Sequence, residues 1–126
     1  MVNKMELLAK ELYEWCIKNN LWGDNILYFN NKAWASIDEW CNDKGKQIGH
    51  RLYEYEYRNP RVYFSGGNSA FACSFEGALN HVLNGHTSGY IKLYNQFNGL
   101  FEKYGLTFIM NNSWNGNAYK LKSRHI

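Results

Sequence analysis

Residues 88–110 run SGYIKLYNQFNGLFEKYGLTFIM. Tyr90, Tyr94, Phe97, Phe101 and Tyr104 recur at the three- and four-residue spacing of one helical face, and Ile91, Leu93 and Leu100 widen the stripe. Ser88 stands where a side chain caps the first turn, and Gly105 where a left-handed residue ends a helix. The spacing predicts a helix over residues 88–104, about 25 Å long, and a strand over 106–110. A helix striped with rings has to cover apolar strands. The expected fold is α+β: a small, mainly antiparallel sheet packed against this long helix and against a second helix at the N-terminus.

That second helix is predicted over residues 3–19. Met5, Leu8, Leu12, Trp15 and Cys16 share one face, while Lys4, Glu6, Lys10, Glu14 and Lys18 share the other. Asn3 and Glu6 make a capping pair, and Asn19 with Asn20 marks the stop. Residues 25–36 predict a hairpin with strands over 26–29 and 32–35, because Asn30 and Asn31 both tolerate the positive φ of a two-residue turn. Ser36 and Glu39 predict a short helix over 37–44 that turns Ile37, Trp40 and Cys41 inward. Arg51, Tyr53, Tyr55 and Tyr57 alternate with Leu52, Glu54, Glu56 and Arg58, the period of a strand with one solvated face. Val62, Tyr63 and Phe64 suggest a further extended piece before the loop-like run 65–68, SGGN. Residues 70–75 suit a buried strand and 76–84 a two-turn helix closed by Gly85. A last strand is expected over 118–121. Asn115 and Gly116 are the strongest turn dipeptide before it, with Asn111 and Asn112 in competition. Without repeats or linkers, the whole chain, 1–126, is expected to form one α+β domain.

Aromatic residues make up 17% of the chain, which excludes disorder. A net charge of +3, with acidic and basic residues interspersed, disfavours both a phosphate-mimicking protein and a dedicated DNA-binding domain. Cys16, Cys41 and Cys73 form no CxxC pair, and no apolar run approaches the ~20 residues of a membrane span. A soluble, cytoplasmic protein with reduced thiols is expected. The seventeen asparagines, many lysines and isoleucines and single proline match AT-rich codons, which bears on origin and not on mechanism.

Cys73, Glu76, His81 and His86 are the best metal candidates, yet their spacing puts no two of them on one helical face and no HExxH or finger pattern occurs. Cys73 with His81 could form a thiol and its base, but Cys73 lies in an apolar run, where a cysteine is inert. Glu54 and Glu56 share a strand face without making an acid–base pair. Gly66 and Gly67 lack the following Lys-Ser/Thr of a phosphate loop. The tyrosines at 53, 55 and 57, interleaved with Arg51, Arg58 and Arg61, could stack bases and hold phosphates, with the basic end (Lys120, Lys122, Arg124) assisting. The ordinary alternative packs those tyrosines under the long helix with their hydroxyls at a rim. Twenty-two rings are more than one small core comfortably encloses; Tyr53, Tyr55, Tyr57, Trp22, Trp114 and Tyr119 are expected to stay exposed, and exposed rings with arginines favour recognition.

Residues 74–77 (SFEG), 82–84 (VLN), 92–97 (KLYNQF) and 101–106 (FEKYGL) resemble stretches of small accessory proteins of phages and mobile elements of low-GC bacteria. The resemblance covers the C-terminal half. It implies a protein that binds and blocks a host defence complex, as anti-CRISPR proteins do, in the cytoplasm of a bacterial host. The leading expectation is therefore a non-enzymatic protein-binding module without cofactor or metal, a phage-encoded inhibitor of a CRISPR-type nuclease whose partner is a host protein or ribonucleoprotein complex. Its contact residues are expected among Arg51, Tyr53, Tyr55, Tyr57, Arg58, Arg61, Trp114, Tyr119, Lys120 and Lys122. The alternatives are a nucleic-acid-binding module built on residues 51–61 and the basic tail, or a small metal- or thiol-dependent enzyme centred on Cys73, His81 and His86.

Overall fold

A computed structural model describes residues 3–37, 51–56 and 71–120. In chain order the elements are α1 (Lys4–Lys18), β1 (Asn25–Phe29), β2 (Lys32–Ile37), β3 (Arg51–Glu56), β4 (Phe71–Phe75), α2 (Ala78–Leu83), α3 (Tyr90–Lys103), β5 (Leu106–Met110) and β6 (Asn115–Lys120). The six strands form one sheet, ordered β3-β2-β1-β4-β6-β5, with every pair antiparallel. The fold is thus α+β, as the ring-striped segment predicts. No helix among the described residues is long and apolar enough to cross a membrane.

Local chemistry explains most boundaries. Asn3 accepts hydrogen bonds from the N–H groups of Met5 and Glu6 and so caps α1. Asn20, at φ +58°, turns the chain out of α1 while the N–H groups of Asn20 and Leu21 donate to the carbonyls of Ile17 and Cys16; asparagine here fills the left-handed position usually given to glycine. Gly85 ends α2 in the same way, at φ +73°, with the N–H of His86 donating to the His81 carbonyl. Asn30 and Asn31, at φ +49° and +60°, make the two-residue turn of the β1–β2 hairpin.

Several expectations are corrected. Ser88 does not cap α3: the N-cap is Gly89, at φ +73°, which has no side chain to offer, and α3 begins at Tyr90. The ring stripe is narrower than its spacing suggests. Phe97 and Phe101 are fully buried, whereas Ile91 and Tyr94 are exposed, because at 100° per residue Ile91 lies about 120° around the helix from Phe97. Trp22, expected at the surface, is fully buried with its ring edge-on to Tyr13 at 4.9 Å. Ile37 is the last residue of β2 and pairs with Arg51; the rest of the helix expected over 37–44, and the segment 62–68, lie outside the described residues.

The last hairpin also turns elsewhere than expected. Asn115 and Gly116 belong to β6, opposite Ser74 and Cys73 of β4, and the chain reverses at Asn111, Asn112, Ser113 and Trp114. The Asn112 side-chain oxygen accepts from the N–H groups of Trp114 and Asn115 and closes the turn. Gly116 serves packing instead: a Cβ there would lie 2.5 Å from Phe108 Cζ and 2.7 Å from the Ile109 carbonyl oxygen, so only glycine lets the Phe108 ring pass over β6.

The helices share one face of the sheet. Leu8, Leu12 and Cys16 of α1, Leu79 and Val82 of α2, and Phe97 and Phe101 of α3 bury themselves on Leu27, Phe29, Phe71, Cys73, Phe75, Leu106 and Ala118. Phe29 stacks on Phe71, and Phe71, Phe97, Phe101 and Phe108 meet at centroid distances of 4.9 to 5.6 Å. Such pairs each add about 0.5–1.5 kcal/mol to the area they bury. A smaller cluster of Tyr28, Ala33 and Ala72 lies on the opposite face.

Candidate functional site

The strand register decides where the predicted contact residues go. Trp34 pairs with Glu54 and Ala35 with Tyr53, and Trp34 and Leu52 pack into the helix-side core. Tyr53 and Tyr55 therefore point to the face opposite the three described helices, with ring centroids 5.7 Å apart. This overturns the alternative in which they pack under the long helix. Tyr53 is 54% exposed, whereas Tyr55 is half-buried against the Tyr28 cluster. Trp114 sits in the β5–β6 turn, 40% exposed. Tyr119, paired with Thr107, faces the side opposite the described helices, while Lys120, paired with Leu106, lies on the helix side. Four strand spacings, about 19 Å, separate β3 from β6. Those of the predicted residues that the structure describes hence do not form one patch. Tyr57, Arg58, Arg61 and Lys122, and the side chain of Arg51, lie outside the described residues.

The candidate metal or thiol cluster does not assemble either. Cys73 is fully buried on β4 beside Cys16, and burial, with Cys16 adding to it, pushes its thiol well up; burial alone pushes Cys16 up to about 12. His81 and His86 are exposed, their rings 6.2 Å apart. Among the described residues, no group of three or more His, Cys, Asp or Glu is placed to hold a metal ion.

Two surface features remain. The first is the pair of strands, β3 and β5, that end the sheet among the described residues and differ in kind. β3 carries Glu54 and Glu56, and Glu54 accepts a hydrogen bond from Trp34 Nε1 at 2.6 Å and pairs with Lys32 at 3.3 Å. Those two donors, Trp34 foremost, hold the Glu54 carboxyl below the ordinary carboxylate range. Lys32 also pairs with Glu6 at 2.6 Å, so the β3 edge is charged and tied to α1. β5, reading LTFIM, carries no charge at all, and neither does the turn that follows it up to Trp114. Among the described residues β5 pairs only with β6. Ile109, the fourth residue of β5, is 52% exposed. The turn beside it is held firmly: Asn80 of α2 and Asn84, the residue that caps its C-terminus, both donate side-chain hydrogen bonds to the Ser113 carbonyl, at 2.8 and 2.7 Å.

The second feature is a groove on the helix side. α1 and α3 run antiparallel, joined by Trp15 Nε1 donating to Gln96 Oε1 at 2.9 Å and by Lys103 paired with Glu11 at 2.6 Å. Where the end of α1 meets the start of α3, a lobe of about 320 Å³ opens between Trp15, Lys18, Asn19, Lys92, Leu93 and Gln96. Asn19 and Leu93 also line a second lobe, of about 470 Å³, with His81, His86, Thr87 and Ser88. Among the described residues no carboxylate lines either lobe. Asp24 and Glu76 line a different cleft, of about 160 Å³, at the end of β1 and β4. Sequence reasoning missed this groove: Lys18 is read as a solvated helix face and the histidines as a metal candidate, and nothing local says that α1 and α3 bring them together.

No protein-family model, no curated protein and no solved structure matches the chain.

Proposed function

We propose that this protein acts by non-covalent recognition of a protein partner, and that the partner adds an extended segment alongside β5. The observation that carries the reading is the contrast between the two sheet edges. A strand edge displays unpaired N–H and C=O groups, and soluble proteins usually blunt it with charge. β3 is blunted by Glu54 and Glu56, and β5 is not. Main-chain hydrogen bonds from an added strand supply affinity, and alternate side chains supply specificity. Ile109 and Trp114 are the exposed apolar anchors for that contact. The turn clamped by Asn80 and Asn84 is ordered before binding, which lowers the entropic cost of association. The buried, protonated thiol of Cys73 supports recognition over thiol chemistry.

A narrower reading makes the partner a bacterial defence nuclease complex and this chain its phage-encoded inhibitor. Its support is the resemblance of residues 74–77, 82–84, 92–97 and 101–106 to phage accessory proteins, together with a β5 edge that pairs with nothing beyond β6 among the described residues and is suited to blocking a partner's strand.

The test is edge-dependent capture. Wild-type protein immobilised in a bacterial lysate should retain a partner that Ile109→Lys releases and Tyr53→Ala does not. Unchanged retention by Ile109→Lys, with its circular dichroism intact, would overturn the proposal. So would a wild-type dimer that Ile109→Lys converts to monomer, since the edge would then serve self-association.

A further inference from the structure

The helix-side groove carries chemistry that edge recognition does not use. Its rim gathers Lys18, Lys92, His81 and His86 around a floor of Trp15, Leu21, Val82 and Leu93. The three ion pairs formed among the described residues engage Lys32 and Lys103 and leave both groove lysines unpaired. Nor is Lys18 needed to finish α1. The terminal carbonyls of Trp15, Ile17 and Cys16 are already met by the Asn19 side chain and by the N–H groups of Asn20 and Leu21. Two unpaired ammonium groups facing one concavity repel each other and favour an anionic occupant.

A second, independent feature points the same way. Thr87 and Ser88 line the second lobe and lead straight into α3, whose N-cap is a glycine with no side-chain cap. The Tyr90 N–H donates to the Thr87 carbonyl at 3.3 Å, and the N–H groups that follow it in this fourteen-residue helix have no side-chain cap, an end that favours anions. Trp15 and Leu93 meanwhile offer an apolar wall, and Gln96, whose oxygen is engaged by Trp15, keeps its amide nitrogen for a ligand. Cations with hydroxyls beside an aromatic wall suit a ligand that is phosphorylated at one end and flat at the other.

We propose that the groove between α1, α2 and α3 binds a nucleotide, its phosphates held by Lys18, Lys92 and the Thr87–Ser88 end of α3 and its base laid against Trp15 and Leu93. The lobes, of about 320 and 470 Å³, are of the size that ligands of this class fill.

The probes are ATP and inorganic pyrophosphate, titrated into the full chain and followed by amide and indole NMR. ATP is expected to shift the Trp15 indole N–H and the amides of Thr87, Ser88 and Leu93, and to bind more tightly than pyrophosphate. Lys18→Gln and Lys92→Gln should each weaken ATP about fivefold, and the pair at least about tenfold. Lys10→Gln, on α1 but outside the groove, should change nothing. Raising salt from about 50 to about 300 mM should weaken ATP binding. Both substitutions are on exposed side chains, and circular dichroism will report that the fold survives. No shift at those four residues at millimolar ATP overturns the site. Unchanged ATP affinity in the double variant overturns the role of the lysines, and equal affinities for ATP and pyrophosphate overturn the nucleotide assignment. Ile109→Lys should leave ATP binding intact, so loss of the edge reading and loss of this one are separable.

Discussion

Replacing Gly116 by alanine adds one methyl group to the place where two layers of the molecule nearly touch. The new Cβ would meet Phe108 Cζ at 2.5 Å and the Ile109 carbonyl oxygen at 2.7 Å, against an ordinary contact of about 3.5–4 Å. Neither obstacle yields easily. The carbonyl is backbone of the neighbouring strand, and the Phe108 ring is held by Phe97 at 4.9 Å, Phe101 at 5.0 Å and Phe75 at 6.3 Å. Overpacking of this kind costs about 1–3 kcal/mol, and the upper half applies where the obstacles are rigid. Alanine returns about 0.5–1 kcal/mol by restricting the unfolded chain. The net expectation is a loss of about 2 kcal/mol, or a melting point lower by about 8 °C for a chain of this length. Urea unfolding followed by circular dichroism measures it. Phe108→Leu should relieve part of the clash, so Gly116→Ala should cost only about 1 kcal/mol in that background. If Gly116 were instead a turn residue in a left-handed conformation, its cost would be the same with or without Phe108. A Gly116→Ala variant within about 0.5 kcal/mol of wild type would refute the packing argument.

Asn112→Ala removes the acceptor for the Trp114 and Asn115 N–H groups and should destabilise by about 1 kcal/mol in the same urea assay. Cys16 and Cys73 keep their protons in the folded state, Cys16 up to about 12 against an ordinary 9.0. The unfolded chain releases those protons first, so the stability they lend is full below pH 9.0 and falls as pH rises toward 12. In a Cys41→Ser background, neither thiol should react with a disulfide reagent at pH 8 until urea unfolds the chain. Lys32→Met deletes the link between Glu6 and Glu54. With both carboxylates about half exposed, solvent screening holds the loss to about 0.5–1 kcal/mol, and added salt should shrink it further.

The features legible in the sequence are those set by neighbours along the chain. The Asn30 and Asn31 turn, the Asn3 cap, the Gly85 and Gly105 helix ends and the span of β5 each depend on a few adjacent residues, and each stands where the sequence puts it. The features that differ depend on contacts across the fold. Asn115 and Gly116 have strong local turn character, but the Phe108 ring requires a glycine opposite Met110, and that pairing draws both residues into β6. Alternation along residues 51–58 defines two faces without saying which one turns to the helices; pairing of Trp34 with Glu54 decides it, and it sends the tyrosines outward. The groove needs α1 beside α3, a contact between residues some eighty positions apart such as Trp15 and Gln96, for which no sequence spacing gives a signal.

The proposed function rests on the contrast between β3 and β5. The deciding measurement is partner retention from a bacterial lysate by wild type, Ile109→Lys and Tyr53→Ala, read alongside the oligomeric state of each. The proposal predicts a monomer whose captured partner is lost with Ile109→Lys and kept with Tyr53→Ala. Loss with Tyr53→Ala and retention with Ile109→Lys would move recognition to the opposite edge and contradict it.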